Sequence, residues 1–259
     1  MLNLTPIPAF NDNYIWAMYD PDAPELGAVI IDPGTADVVQ QWLNEHEQKL
    51  SAIVITHHHA DHTGGAVTLQ QQNDYCPIYG PANSPFEGIT QPLTDGDLIY
   101  LLNTGFEVRA VPGHTLDHIS FFASDEHILF CGDTLFMAGC GRLFEGTAEQ
   151  MQQAMDYFAS LPDETRVYAA HEYTLSNLAF AHAVEPESND IRIMTEKCRS
   201  LREQGLPTLP SRIGIEKAIN PFMRTSETSV THTVYGHTGE DPSTPAETLA
   251  LLREWKNNF

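Results

Sequence analysis

The segment THHHADH, residues 56–62, directly follows the apolar run AIVI and decides how the rest of the sequence is interpreted. In an extended segment alternate side chains point the same way, so His57 and His59 can face one metal ion. Asp61 and His62 follow on the turn that leaves the strand. Two such pairs, so close together, serve two neighbouring ions better than one tetrahedral ion. The segment therefore predicts a binuclear metal site at a strand end.

Further ligand-type residues follow later predicted strands, each where the strand ends. FEVRAVPG is followed by His114, HILFCG by Asp133, and RVYAA by His171. The set then holds five imidazoles and two carboxylates, enough for three protein ligands on each of two ions and one shared carboxylate. A two-metal hydrolytic site needs such a set together with an open position for water.

A surface histidine tract that collects metal adventitiously is the alternative interpretation of THHHADH. The ligand-type residues at three later strand ends argue against it. His58 is not expected to be a ligand, and His118 is either an orienting partner of a ligand or structural. Asp32 could orient a ligand, although turn chemistry is the commoner reason for Asp before Pro-Gly. The other histidines are expected to be solvated or locally bonded: His46, His127, His182, His232 and His237.

Length and composition describe a globular protein. The 259 residues fit one large domain or two modest ones, with 42% hydrophobic and 19% charged residues. The net charge of -22 argues against nucleic acid and anionic membrane surfaces as partners. No basic leader and no apolar stretch of about 20 residues is present, which predicts a cytoplasmic protein. Without a CxxC pair, the cysteines are expected to be buried, reduced thiols.

The chain changes character after Tyr173. Before it, β-branched runs such as GAVIID and LSAIVIT alternate with helical segments, the pattern of a layered α/β domain. After it, the strand signal fades and helical patterns dominate. The last helix has Thr244 as its cap, Pro245 in its first turn and Glu247 to close a capping box. We expect a catalytic domain over residues 1–173 and a helical substrate-binding domain over 174–259.

The motifs resemble a known superfamily. T-H-x-H-x-D-H, followed by G-H-T, G-D-T and A-H-E-Y, resembles the metallo-β-lactamase superfamily. The strings GCGRLFEG, AAHEYT and NPFMR, with the closing helix, are similar to the glyoxalase II (hydroxyacylglutathione hydrolase) family within it. The resemblance covers nearly the whole chain. It implies an αβ/βα sandwich with the metals at one edge of its two sheets, and a C-terminal helical domain.

The resemblance also implies how the metals are held. The implied assignment is His57, His59 and His114 on one ion, Asp61, His62 and His171 on the other, and Asp133 as the bridge. Two divalent ions per chain follow from it. Zinc is the first choice, with iron or manganese as alternatives, because a mixed nitrogen and oxygen ligand set does not select among them.

The implied reaction is hydrolysis of the thioester S-D-lactoylglutathione to D-lactate and glutathione, the second step of methylglyoxal detoxification. The nucleophile would be hydroxide held between the ions by Asp61 and Asp133. A monomer with this small-molecule substrate is expected. One departure from the family concerns Arg142 and Phe144, where eukaryotic relatives often have Lys and Tyr. The residues that match glutathione-binding positions are Arg142, Phe144, Tyr173, Arg253 and Lys256.

Several rival functions share parts of this pattern. A persulfide dioxygenase of the superfamily uses a single iron and would leave His62 and His171 unused. A lactonase or β-lactamase shares the metals but does not explain the cations Arg142, Arg253 and Lys256. The net charge of -22 argues against an RNA-processing nuclease. A metal-binding scaffold without turnover would be expected to lack a ligand, and none is missing.

Overall fold

The computed structural model describes residues 2–259, which form two compact units, each held together by its own contacts. The first unit runs to Ala110 and includes Asp117–Gly132. The second consists of Val111–Leu116 and Asp133–Phe259. The division into domains between residues 173 and 174 stays a prediction. Within residues 2–259, no helix is long and apolar enough to cross a membrane.

The first unit contains two sheets and three helices. Its strands are β1 Asn3–Ala9, β2 Asn13–Tyr19, β3 Ala28–Ile31, β4 Leu50–Val54, β5 Ile78–Pro81, β6 Gln91–Leu93, β7 Leu98–Leu101, β8 Thr104–Ala110, β9 Ile119–Ala123 and β10 Ile128–Gly132. Its helices are α1 Ala36–Glu45, α2 Ala60–Thr63 and α3 Ala66–Gln72. The first sheet has the order β1-β2-β3-β4-β5-β6, antiparallel up to β3 and parallel from β3 onward.

The β3-α1-β4 crossover places two important strand ends side by side. Parallel strands joined through a helix finish at the same edge of a sheet. At that edge the backbone N–H of Asp32 donates to the carbonyl of Val54 (2.8 Å). Helix α1 buries Val39, Trp42 and Leu43 in the core of this unit, which holds the crossover in place.

The second sheet of this unit consists of β7, β8, β9 and β10, all antiparallel neighbours. Strands β9 and β10 are buried along their whole length. The N–H of Ile119, at the start of β9, donates to the carbonyl of Thr56 (2.9 Å). This bond fixes the residue from which the THHHADH segment begins.

The second unit is mostly helical. Its helices are α4 Ala148–Ser160, α5 Thr174–Val184, α6 Asn189–Glu203, α7 Ile213–Ile219, α8 Thr228–Thr238 and α9 Pro245–Asn257. Its short strands are β11 Leu135–Phe136, β12 Gly139–Cys140, β13 Arg166–Ala169 and β14 Ser211–Arg212. Strands β11 and β12 form a small hairpin, and β13 pairs with β14.

Most of the predicted elements are confirmed, with two corrections. The two-residue strand β14 lies in the part of the chain where the strand signal fades and helical patterns were expected to dominate. In α9 the hydroxyl of Thr244 accepts from the N–H of Glu247 (3.2 Å), as predicted. The Glu247 carboxylate, however, accepts from the N–H and hydroxyl of Ser243 (both 2.7 Å). The side chain therefore reaches one residue beyond the cap.

Candidate metal centre

Asp32 organises the start of the histidine segment. This residue has a positive φ of 52° at the end of β3, and its carboxylate accepts from the N–H and the hydroxyl of Thr56 (both 2.8 Å). Because that hydroxyl donates to Asp32, it acts as acceptor towards Nδ1 of His57, 3.0 Å away. His57 is thereby held with its proton on Nδ1, which leaves the Nε2 lone pair available to a metal.

His57 and His59 each direct one ring nitrogen toward the other. Nε2 of His57 lies 3.2 Å from Nδ1 of His59. Two ligand atoms on one tetrahedral ion, each about 2.1 Å from it, are about 3.4 Å apart. The observed separation fits a shared ion, as the alternation of side chains predicted.

Asp61 and His62 lie on the single-turn helix α2 and form the second pair. Oδ2 of Asp61 lies 3.6 Å from Nε2 of His62 and accepts from Nδ2 of Asn13 (3.0 Å). On its other side the His62 ring has Nδ1 3.1 Å from Oδ2 of Asp32. The Asp32 carboxylate therefore faces the Nδ1 edge of this ring and also fixes Thr56. Asp32 is an orienting residue as well as a turn residue.

The second unit contains the remaining three ligand-type residues, and two of them, His114 and His171, lie beside one carboxylate oxygen of the third, Asp133. Oδ2 of Asp133 lies 3.5 Å from Nε2 of His114 and 3.3 Å from Nε2 of His171. Nδ1 of His114 is 2.8 Å from the carbonyl oxygen of Arg142, which only accepts, so this nitrogen carries the proton. The Nε2 lone pair then faces a carboxylate oxygen, an arrangement that is repulsive without a cation and suits a bridging carboxylate.

All of the predicted ligands take part in candidate metal-binding groups. The described residues include groups of three His and Asp side chains that could hold a metal ion. The predicted ligands found in these groups are His57, His59, Asp61, His62, His114, Asp133 and His171. The ligand types and their separations therefore fit divalent metal ions.

The neighbouring histidines behave differently from the predicted ligands. Nδ1 of His58 lies 2.9 Å from Oδ1 of Asp117, and the fully buried His118 ring stacks on His57 at 4.6 Å. A Cβ at Gly132, whose φ is 47°, would lie 2.4 Å from the Thr56 hydroxyl and 2.8 Å from the His118 ring. Only glycine therefore leaves Thr56 room to orient His57.

Three predicted substrate-binding residues contact ligand residues of the second unit. Arg142 and Phe144 are exposed, and the Phe144 ring lies 5.2 Å from that of His114. The half-buried Tyr173 ring stacks on His171 at 4.7 Å, with 7° between the planes. The rings of Phe144 and Tyr173 and the backbone carbonyl of Arg142 therefore lie beside ligand side chains of the same unit.

The two predicted cations of α9 have contacts within the protein. Arg253 is 5% exposed, and its Nη1 donates to the carbonyl of Cys140 (2.8 Å). Nζ of Lys256 donates to Oδ1 of Asn177 (2.6 Å). Burial and, to a smaller extent, the nearby Arg253 charge lower the pKa of Lys256 to about 8. Neither contact was predicted from sequence, because spacing on a helix shows that two side chains share a face but not which residues they bind.

Asn13 was missed by sequence reasoning. It is 7% exposed and bonds Asp61, yet it stands in a β1-β2 hairpin with no motif to mark it. Its partner lies 48 positions away, so no local pattern could have indicated the contact.

Comparison with known proteins gives a consistent assignment. Residues 23–171 match the metallo-β-lactamase superfamily, and residues 172–259 match the hydroxyacylglutathione hydrolase C-terminus. A hydroxyacylglutathione hydrolase of Aliivibrio fischeri is 48% identical over 259 residues, and one of Nitrosomonas eutropha is 44% identical over 261. Each match covers 100% of both sequences.

Solved structures agree on the fold. ETHE1 from Myxococcus xanthus superposes with a TM-score of 0.64 at 23% identity, covering 99% of this chain and 98% of that one. The predicted sandwich of α/β layers with a C-terminal helical part is confirmed. The chain belongs to the metallo-β-lactamase superfamily and, within it, to the hydroxyacylglutathione hydrolases.

Proposed function

We propose that this protein is a thioester hydrolase that converts S-D-lactoylglutathione to D-lactate and glutathione, the second step of methylglyoxal detoxification. Full-length relatives at 44% and 48% identity carry the name hydroxyacylglutathione hydrolase. The observation that carries the chemistry is Oδ2 of Asp133 facing Nε2 of both His114 and His171 at 3.5 and 3.3 Å. A carboxylate in that position is suited to bridge two metal ions.

Two divalent ions per chain, zinc as the first choice, are part of the proposal. One ion would be held by His57, His59 and His114, the other by Asp61, His62 and His171, with Asp133 shared. When bound, such ions lower the pKa of a coordinated water and polarise a carbonyl oxygen. The donor set contains only imidazoles and carboxylates, which also suits iron and manganese.

The protein's own groups prepare this site for the metals. The Thr56 hydroxyl and the Arg142 carbonyl hold the protons of His57 and His114 on Nδ1, so that Nε2 is the ligand atom. Asp61 and Asp133 would hold the attacking water. The leaving thiolate has a pKa near ~8.5 and departs without a dedicated general acid.

Substrate binding is assigned to the cations and aromatic rings predicted from sequence. The carbonyl of Arg142 contacts His114, Tyr173 stacks on His171, and Phe144 offers an exposed ring. Arg253 and Lys256 would bind the glycine carboxylate of the glutathione moiety. With a net charge of -22, the protein needs such gathered cations to hold an anionic substrate.

The experiment that tests this function follows the loss of thioester absorbance with S-D-lactoylglutathione, using metal-loaded protein. Hydrolysis that disappears after chelation and returns with added metal is the expected result. Parallel measurements with glutathione persulfide and an oxygen electrode test the dioxygenase alternative. Oxygen consumption with no thioester loss would contradict the proposal. Monomeric state and cytoplasmic location stay predictions.

A further inference from the structure

The β11-β12 hairpin, residues 135–140, lies in sequence between two functional points of the site. Asp133 precedes it, and Arg142, whose carbonyl orients His114, follows it. The ends of the segment are drawn together, because the N–H of Gly141 donates to the carbonyl of Thr134 (3.2 Å). A Cβ at Gly141 would lie 2.0 Å from the Asp133 carbonyl oxygen and 3.1 Å from His114. The residue that follows the hairpin is therefore packed closely against the backbone of Asp133 and the side chain of His114.

Buried side chains from other elements of the second unit hold the backbone of this hairpin. Five consecutive residues each use a backbone N–H or C=O for such a contact. The pairs are Asn220 Nδ2 with Phe136 O (3.2 Å) and Gly139 O (2.9 Å), Asn177 Nδ2 with Met137 O (3.0 Å), Ala138 N with Glu216 Oε2 (2.8 Å), and Arg253 Nη1 with Cys140 O (2.8 Å).

Glu216 on α7 supports the turn of the hairpin. It is fully buried and accepts from the N–H of Ala138, the hydroxyl of Ser211 and the amide of Asn220. Ala138 has a φ of 56°, an uncommon conformation for a residue with a Cβ, so its N–H needs a firm partner. Burial raises the pKa of Glu216 more than its hydrogen bonds from Ser211, Ala138 and Asn220 lower it, so that the pKa is about 7. Glu216 is neither a predicted metal ligand nor a predicted substrate-binding residue, so neither of these roles explains its buried carboxyl group.

Asn220, which follows α7, is oriented by its own cap contact. Its Oδ1 accepts from the N–H of Phe222 (3.0 Å), which identifies the other amide atom as the donor. That Nδ2 group donates to the carbonyls of Phe136 and Gly139 and to Glu216 (3.0 Å). The two side chains therefore form one connected support for the hairpin.

We propose that Glu216 and Asn220 are positioning residues of the active site: through the hairpin they hold Asp133 and the Arg142 carbonyl in place for metal loading and turnover. This inference rests on the proposed function for its kinetic part. Neither side chain needs to touch substrate or metal. Their effect passes through the backbone of residues 136–139, where the contacts are direct and buried.

The test compares Glu216→Ala with the near-isosteric Glu216→Gln, which can keep the acceptor for Ala138 while its amide donates to Ser211. In Glu216→Ala we expect metal content below one ion per chain after gel filtration and kcat at least roughly tenfold lower. KM should change less than kcat. Deuterium exchange should accelerate in peptides covering residues 133–142. In Glu216→Gln, metal content, kcat and the exchange rates of these peptides should stay within about twofold of wild type.

Glu185→Ala is the matched control, because Glu185 is another buried carboxyl of the helical part of the second unit. It accepts from Arg224 (2.8 and 3.0 Å) and Ser229 (2.7 Å), and it has no contact with the hairpin among those described. This variant should lose thermal stability but keep metal content, kcat and exchange in residues 133–142. A positioning role predicts that the two alanine variants differ in these three properties.

The inference is overturned if Glu216→Ala binds metal and turns over like wild type, or if Glu185→Ala loses metal equally. It is also overturned if Glu216→Gln fails to recover metal content. If Glu216→Ala does not fold, Asn220→Ser takes its place, because serine keeps a cap acceptor for Phe222 but removes the donors to Phe136 and Gly139. Should wild type hydrolyse no thioester, the proposed function fails, while metal content and exchange still decide the positioning role.

Discussion

The predicted metal ligands and the cations of α9 differ in the hydrogen bonds that their polar groups make within the protein. His57 and His114 have their Nδ1 atoms engaged by Thr56 and Arg142, which leaves Nε2 directed at another ligand. Arg253 and Lys256, in contrast, already direct their charged groups at protein oxygens. The metal ligands are therefore preorganised, whereas the α9 cations must share or exchange partners to bind substrate.

This difference predicts a hierarchy of mutational effects. Removing a preorganised ligand removes the metal chemistry itself, so the loss should be nearly complete. Removing a cation that competes with internal partners should give a graded loss, mostly in KM. The following variants test that hierarchy from the largest effect to the smallest.

Asp133→Ala should have the largest effect. Its Oδ2 faces both His114 and His171, so each of the two proposed ions would lose a ligand. We expect kcat to fall at least about 1000-fold, since the loss of several kcal/mol of metal-based stabilisation corresponds to that factor. Kinetics and elemental analysis of the same sample check this. Normal turnover with normal metal content would contradict the assignment of Asp133 as the bridge.

Asp32→Ala should have the next largest effect, because it removes the partner of Thr56 and the carboxylate beside His62. Metal affinity or activity should fall roughly 10- to 100-fold, the usual cost of losing an orienting partner. Asp117→Ala is the matched control, since Asp117 faces His58, which is not a predicted ligand. Chelator competition measures both variants. Equal affinities would show that Asp32 only shapes its turn.

Arg253→Ala combined with Lys256→Ala should raise KM more than it lowers kcat. Hydrogen bonds to charged groups contribute about 1.5–3 kcal/mol, so we expect KM to rise at least roughly tenfold. Lys217→Ala, which removes an exposed partner of Asp163, is the control for the loss of a positive charge. Steady-state kinetics give both constants. An unaltered KM in the double variant would remove these residues from the substrate site.

The pH dependence sharpens the role of Lys256. With a pKa lowered to about 8, its ammonium is present below that pH and lost above it. If Lys256 binds a substrate carboxylate, kcat/KM should therefore decline as pH rises through about 8. Lys256→Arg keeps its charge throughout this range, so the decline should be absent in that variant. Identical profiles for the two proteins would argue against a charge role.

Phe144→Tyr should have the smallest effect. The exposed Phe144 ring lies beside His114, and a hydroxyl there would add one hydrogen bond to the glutathione moiety. A neutral hydrogen bond contributes about 0.5–1.5 kcal/mol, so KM should fall only a few-fold. A change in kcat without a change in KM would place Phe144 at the reacting centre instead.

The proposed metal ligands could be predicted from sequence because strand ends and residue spacing determine which side chains lie close together. The β3-α1-β4 crossover and THHHADH are local signals, and the later ligands each follow a recognisable strand. The sequence left the orienting role of Asp32 open, since an aspartate before Pro-Gly is commonly explained by turn formation. The ligand roles of these residues stay a prediction, which their separations within each unit support.

The contacts of Asn13, Glu216 and Asn220 were not accessible from sequence. Glu216 meets Ala138 from 78 positions away, and Asn220 meets Phe136 from 84. Their side chains have no periodic pattern that distinguishes a buried support from a solvated helix face. Tertiary packing alone determines these contacts, which is why the predicted α9 cations also had unexpected partners.

Titration of metal-free protein with zinc, following thioester hydrolysis at each step, decides whether the centre is binuclear. We expect no hydrolysis without metal and an activity that rises until two ions are bound per chain. A break at one ion per chain, or hydrolysis that does not depend on added metal, would contradict a binuclear centre built on Asp133.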